Sequence, residues 1–260
     1  MSEGQLHFEK DGAVARITFD NPTQYNALTW RMWRELGEYC AQIAKDRDIR
    51  AVTFRGAGGK AFISGTDISG FVDFKTGQQG VEYEREVGSY VEAVEKLPQP
   101  TVAVVEGWAV GGGLGIAFAC DFRVATPGSR FGSPIGRTIG NCLAAKSYAR
   151  FLAHIGPTLA KRMLLAGEVI LAEELKSLGL VYDVVEKDAL DEAVTALCDK
   201  LIENAPLTIQ ATKEAIRRIT YASLPDIDDL ISMVYASDDF KMGVRNFVEK
   251  TKVKPAWTGK

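Results

Sequence analysis

The sequence predicts an α/β fold closed by a helical C-terminal segment, on three observations. Short apolar, β-branched runs alternate with stretches of helical periodicity from residue 14 to about 185, the pattern of strands interleaved with helices. Residues 101–121 (TVAVVEGWAVGGGLGIAFACD) concentrate that pattern. They read as a buried strand, a turn at Gly107, the triplet Gly111-Gly112-Gly113, and a buried helix that the triplet opens. From Lys187 onward only helical patterning remains, with a start at Pro206 and a break at Pro225. The expected division is a core over residues 1–200 and a helical segment over 201–260.

The elements follow in order. Residues 14–19 (VARITF) alternate apolar and polar side chains as a half-buried strand does, and Asp20-Asn21-Pro22 turns the chain. Thr29 is the N-cap of a helix over 30–44, where Trp30, Trp33, Leu36, Cys40 and Ile43 recur at helical spacing. Residues 49–54 form the next strand, closed by Gly56, Gly58 and Gly59. Residues 60–68 (KAFISGTDI) are a short apolar segment that runs into a glycine turn. The polar stretch 69–80 reads as a mobile surface loop of the kind that covers sites. A helix over 81–97 carries Glu82, Glu84, Glu86, Glu92 and Glu95, most of them on a solvated face, and Pro98 and Pro100 end it. Residues 122–125 are a strand, 129–140 (SRFGSPIGRTIG) are irregular, and 142–155 are helical. Pro157 fits the first turn of a helix to residue 165. A short helix over 171–178 and a last strand within 179–185 (GLVYDVV) complete the core.

Composition excludes several classes. The chain has 260 residues, 46% hydrophobic and 25% charged, so its core needs no disulfide staples. A net charge of −3 argues against nucleic acid as a partner. No apolar run approaches the roughly 20 residues that span a bilayer. Cys40, Cys120, Cys142 and Cys198 lack metal-ligand spacing, and His7 and His154 lie far apart, so no metal site is expected. Unpaired thiols and the lack of a leader-like stretch point to a reducing cytoplasm.

The glycine triplet is the first candidate site. Glycines lack Cβ atoms and let a ligand approach the backbone, and a helix N-terminus presents unpaired N–H groups at the positive end of its dipole. Such a turn can hold an anion or an oxygen on which negative charge develops. Its bland alternative is a tight strand-to-helix turn packed on a neighbour. A Rossmann-type site is disfavoured, because Gly111, Gly113 and Ile116 fail the G-x-G-x-x-G spacing.

Several ordered motifs sharpen this reading. AFISGTDI at 61–68 and GWAVGGGLGIAFACD at 107–121 are joined by ITFDNPTQYNALT at 17–29, SRFGSP at 129–134 and FVEKTKVKPAW at 247–257. Together they resemble the crotonase, or enoyl-CoA hydratase/isomerase, superfamily over nearly the whole chain. The resemblance implies a crotonase-like spiral of ββα units, a C-terminal helical oligomerisation segment and homotrimers or homohexamers. It implies an acyl-CoA substrate and no separate cofactor. By the same resemblance, the backbone N–H groups of Thr66 and Gly112 form an oxyanion hole for a thioester enolate. It places Tyr25, Ala27, Ser64, Asp67 and Ile68 along the CoA path, Pro134 beside the substrate, and Phe247 and Lys250 against a CoA from the C-terminal segment. Asp67 fits a turn cap equally well.

The chain departs from the family pattern at two positions. Typical hydratases carry one Glu two residues after the triplet and another directly after the FGxP turn; here these positions are Gly115 and Ile135. Neither residue can move a proton. Glu84 or Glu86 from the preceding helix are the candidates to replace them, with Arg137 and Asn141 orienting the acyl group. Arg137 suits a carboxylate or carbonyl because its fork binds bidentately; a surface salt bridge is its alternative. The expected function is therefore an acyl-CoA enzyme of the hydratase/isomerase type. Hydration, isomerisation, decarboxylation and C–C hydrolysis stay open, and a catalytically silent acyl-CoA-binding protein is the alternative.

Overall fold

The strands of this chain enter two sheets by turns. The structure is a computed structural model that describes residues 4–251 and 257–259. β1 (Gln5–Asp11) and β2 (Val14–Asp20) form an antiparallel hairpin, followed by α1 (Trp30–Ile43). Three ββα units come next. The first is β3 (Ala51–Gly56), β4 (Ala61–Ile63) and α2 (Gly77–Glu95). The second is β5 (Thr101–Val105), β6 (Trp108–Val110) and α3 (Gly112–Ala119). The third is β7 (Phe122–Ala125), β8 (Arg130–Gly132), the short α4 (Ile135–Thr138) and α5 (Ala145–Leu164). In each unit the first strand joins a six-stranded sheet ordered β1-β2-β3-β5-β7-β10, and the second joins a four-stranded sheet ordered β4-β6-β8-β9. β9 (Val169–Leu171), α6 (Ala172–Ser177) and β10 (Asp183–Val184) close both sheets. The chain ends in α7 (Leu190–Ile202), α8 (Pro206–Thr220), α9 (Asp228–Ala236) and α10 (Asp238–Val248). This is the spiral of ββα units.

Side-chain period explains the layering. On β5, Ala103 and Val105 face the main core, while Val102 and Val104 face a second cluster with Leu190, Val194 and Leu197 of α7. Thr29 caps α1 by accepting a hydrogen bond from the Met32 N–H at 3.3 Å, and Met32, Trp33, Leu36, Cys40 and Ile43 are the face it buries. A third cluster is largely aromatic. Phe71, Tyr83, Tyr235 and Phe240 pack with centroids 4.6 to 6.3 Å apart where α9 meets α2 and α10 meets the turn at Ser69–Asp73.

Several expectations need correction. Residues 69–80 are not an open loop: a 3₁₀ turn spans Ser69–Asp73, Phe71 is buried, and α2 starts at Gly77 under a Thr76–Gln79 capping box. Residues 129–140 contain β8 and α4. The helix expected from 142 starts at Ala145, and Gly156 at φ 64° breaks α5 just before Pro157. The last strand shrinks to Asp183–Val184. The boundary at 200/201 falls inside α7, whose Leu201 packs in the same cluster as Val102. Residues 252–256 of the closing motif lie outside the described residues.

Among the described residues, no helix is long and apolar enough to cross a membrane, and no cluster of three or more His, Cys, Asp or Glu is arranged to hold a metal ion. Cys40, Cys120 and Cys198 are buried and Cys142 half-buried, all as free thiols.

Candidate active site

Parallel pairing of β4 and β6 brings the two glycine turns together. Ala61 pairs with Trp108 and Ile63 with Ala109, so both strands end at the same level of the small sheet. The chain leaves β4 through Ser64-Gly65-Thr66 and leaves β6 through Gly111, whose φ of 56° favours glycine. A Cβ at Gly113 would lie 2.1 Å from the Ile63 carbonyl oxygen, so only glycine lets α3 sit this close to β4. A Cβ at Gly112 would lie 3.1 Å from Thr66 Oγ1.

The backbone at these turns has donors to spare. Thr66 pairs with Leu28 in an isolated parallel bridge, in which the Leu28 N–H donates to the Gly65 carbonyl and the Asp67 N–H to the Leu28 carbonyl. That pattern leaves the Thr66 N–H pointing away from Leu28. Gly112 is the first residue of α3, where N–H groups have no intrahelical acceptor.

Around these turns lies a cavity of about 170 Å³. Its wall takes Ser64, Thr66 and Ile68 from the first turn and Gly111, Gly112 and Gly115 from the second. α2 contributes Tyr83, Glu84, Val87 and Gly88, and the segment from Ser133 to Asn141 adds Pro134, Ile135 and Asn141. Phe247 stands at the mouth, more than half exposed. Gly115 and Ile135 thus both line the cavity. A Cβ on Gly115 or Gly88 would meet nothing within 4 Å.

Glu84 is the carboxylate of this wall. Its side chain is buried, with Oε1 accepting from the Tyr235 hydroxyl at 2.8 Å and Oε2 from the Ala144 N–H at 3.0 Å. Burial pushes its carboxyl up to about 7 against the pull of those two donors. Glu86, two residues on, points outward and accepts from Tyr90 at 3.3 Å; the structure removes it from the candidate pair. Asn141 reaches Tyr235 at 3.4 Å, and its Oδ1 is buried without a partner among the described residues. Arg150, also on the cavity wall, is 2% exposed and forms a two-pronged pair with Glu95.

The other candidate residues lie outside the cavity lining. Tyr25, Ala27 and Asp67 run alongside it: the Ser64 N–H donates to the Tyr25 carbonyl at 3.1 Å, and Asp67 caps its own turn by accepting from the Ser69 N–H at 2.9 Å. Arg137 is exposed on α4, beside Gly167. Lys250 follows α10 in the left-handed region at φ 52°. Sequence reasoning missed Tyr235 altogether. It also missed that Glu84, not its neighbours, turns inward; the stripe Gly77, Gly80, Glu84 and Gly88 at helical spacing was an available signal.

Comparison with known proteins supplies the family. A model of the family described as Enoyl-CoA hydratase/isomerase matches residues 9–260. The short-chain-enoyl-CoA hydratase of Clostridium acetobutylicum is 31% identical over 262 residues, with 98% of each chain covered. The (E)-benzylidenesuccinyl-CoA hydratase of Thauera aromatica is 37% identical over 208 residues, with 80% of each covered. A crystal structure described as an enoyl-CoA hydratase/carnithine racemase from Magnetospirillum magneticum superposes with a TM-score of 0.78 at 33% identity, covering 98% of this chain and 96% of the other. The chain belongs to the enoyl-CoA hydratase/isomerase, or crotonase, family of acyl-CoA enzymes.

Proposed function

We propose that this protein binds an acyl-CoA thioester, stabilises its enolate with the Thr66 and Gly112 N–H groups, and moves the proton with Glu84. The observation that carries this reading is a buried carboxylate, pushed up to about 7, on the wall of the cavity that Thr66 and Gly112 also line. Preorganised donors stabilise charge where it develops. A general acid–base works best when it titrates near the operating pH. In this reading the CoA runs along Tyr25, Ala27, Ser64, Asp67 and Ile68, with Pro134 and Asn141 against the acyl group and Phe247 at the mouth. Arg137 and Lys250 act on the exposed parts of the ligand. The chain assembles as a homotrimer or homohexamer through its C-terminal helices, which light scattering at micromolar concentration tests. We also propose a cytoplasmic location, with which the free thiols are compatible.

With Gly115 and Ile135 on the wall, crotonyl-CoA hydration is poor, and enolate-forming reactions such as double-bond isomerisation or decarboxylation rank alongside hydration. The test is deuterium uptake at Cα of saturated, branched and aromatic acyl-CoA thioesters in heavy water, read by mass spectrometry. Wild type exchanges with at least one of them. Glu84→Gln loses roughly 10²–10⁴-fold, and Glu86→Gln retains its rate. Tight acyl-CoA binding with no exchange and no turnover would replace this reading with that of a binding protein.

A further inference from the structure

Tyr235 stands 151 residues from Glu84 in the chain, yet its hydroxyl is the closest donor to that carboxylate. Its ring is 1% exposed and its hydroxyl donates to Glu84 Oε1 at 2.8 Å while accepting from Asn141 Nδ2 at 3.4 Å. Two glycines make this reach possible. A Cβ at Gly80 would fall 2.1 Å from Tyr235 Cγ and 2.5 Å from its Cβ, and one at Gly77 would fall 2.0 Å from the Ser232 carbonyl oxygen. The bare face of α2 therefore lets α9 lie against it, one turn before Glu84. The second donor is the Ala144 N–H, which meets Oε2 just before α5 begins. Each carboxylate oxygen has one donor, and the two donors belong to different elements.

From this arrangement we infer that Tyr235 is a positioning residue: with the Ala144 N–H it aims the Glu84 carboxylate into the cavity and holds its ionised form, which makes α9 a working part of the site. The inference rests on the proposal that Glu84 moves the substrate proton, but its first readout does not. Hydrogen bonds to an ionised group contribute more than neutral ones, and here they oppose the burial that drives the carboxyl upward. The other titratable groups coupled to Glu84 are Tyr83 on α2, Cys142 before α5 and Tyr148 on α5. Burial pushes all three upward, as it does Tyr235, so they are neutral near pH 7 and supply dipoles only. The charged Arg150 on the same wall is already paired with Glu95.

The experiment is a ¹³C NMR titration of protein labelled at the glutamate δ-carbon, with the Glu84 signal assigned by its loss in Glu84→Gln. In Tyr235→Phe, which keeps the ring and its packing, the Glu84 midpoint moves up by about one unit or more, the shift expected when a charged group loses a hydrogen bond. Ala144→Pro removes the other donor at a residue whose φ of −68° already suits proline, and it moves the midpoint the same way. The pH profile of acyl-CoA turnover follows: its Glu84-dependent limb shifts upward in both variants, whereas a merely structural loss lowers the rate evenly at all pH values. A Glu84 midpoint unchanged or lowered in Tyr235→Phe overturns the inference, whatever Ala144→Pro does. A midpoint that moves while Glu84→Gln keeps full turnover leaves the positioning role standing and removes instead the catalytic role proposed for Glu84.

Discussion

Thr66 and Gly112 are neighbours across two parallel strands, so close that a methyl group on Gly112 would lie 3.1 Å from the Thr66 hydroxyl oxygen. Their N–H groups are left without a backbone partner by different routes. The Thr66 group is turned outward by the bridge to Leu28, and the Gly112 group is an unpaired donor at a helix start. Because both are backbone groups, side-chain substitution tests them only indirectly.

Gly112→Pro deletes one of these donors, at a first helical position where proline is tolerated. Turnover or Cα exchange falls roughly 10²–10³-fold while circular dichroism stays that of the folded protein. Thr66→Ala keeps its N–H and loses the γ-methyl and the hydroxyl that bonds Tyr83, so its effect is within a few-fold. A folded proline variant with full activity would refute the assignment of Gly112.

The sequence carried β2, β3, β5, β7 and the two glycine turns because these are local, whereas β1 (Gln5–Asp11), with five charged or polar side chains in seven, went unread. The alternation in residues 14–19 and the apolar run at 101–105 report burial residue by residue, and Gly111 marks a backbone conformation that a side chain resists. The three-residue strands β4, β6, β8 and β9 are too short for alternation to reveal. Glu84 was unreadable among five glutamates on one helix. Which of them turns inward is decided by where α9 settles, and that depends on Gly77 and Gly80 meeting Ser232 and Tyr235, each 155 residues further along the chain. Residues 69–80 misled for a related reason: they are polar on average, but Phe71 and the capping box at Thr76 decide their structure.

Restoring carboxylates should restore hydration. Gly115 and Ile135 both line the cavity, and a Cβ on Gly115 meets open space, so Gly115→Glu introduces no clash at its first atom. The double variant Gly115→Glu with Ile135→Glu is expected to hydrate crotonyl-CoA at least about 10²-fold faster than wild type, the lower range for a positioned acid–base group. Loss of the enoyl-thioester absorbance measures it. A folded double variant no faster than wild type would show that these two positions do not face the double bond.

Arg150 and Glu95 hold the floor of the cavity to the C-terminal helices. Arg150 is almost fully buried, its guanidinium grips both Glu95 oxygens at 2.5 and 3.0 Å, and the Tyr221 hydroxyl at the end of α8 donates to the same carboxylate at 2.6 Å. Removing one partner of a buried pair strands the other charge. Glu95→Ala is expected to lose about 3–5 kcal/mol in urea unfolding at matched protein concentration, and Glu95→Gln less. A Glu95→Ala variant within 1 kcal/mol of wild type by the same titration would mean that water or a rearranged Tyr221 solvates Arg150.

Glu84 leaves a signature in the pH dependence of stability. Burial raises its folded-state value from 4.5 to about 7, so between these values the folded chain holds a proton that the unfolded chain has released. Stability therefore falls as pH rises through that window and levels off above about 7, by up to about 3 kcal/mol at 1.36 kcal/mol per unit. Glu84→Gln has no such proton to lose. The amide carries its own fixed cost, since an NH₂ turned toward the Ala144 N–H meets another donor, but that cost does not change with pH. The stability difference between the two proteins, measured by denaturant titration at intervals from pH 5 to 8, should therefore move steadily in favour of the Gln variant. Movement in favour of wild type would mean that the donors from Tyr235 and Ala144 outweigh burial and lower the carboxyl below its ordinary value. A flat difference would mean that water reaches Glu84 and the cavity wall is open there.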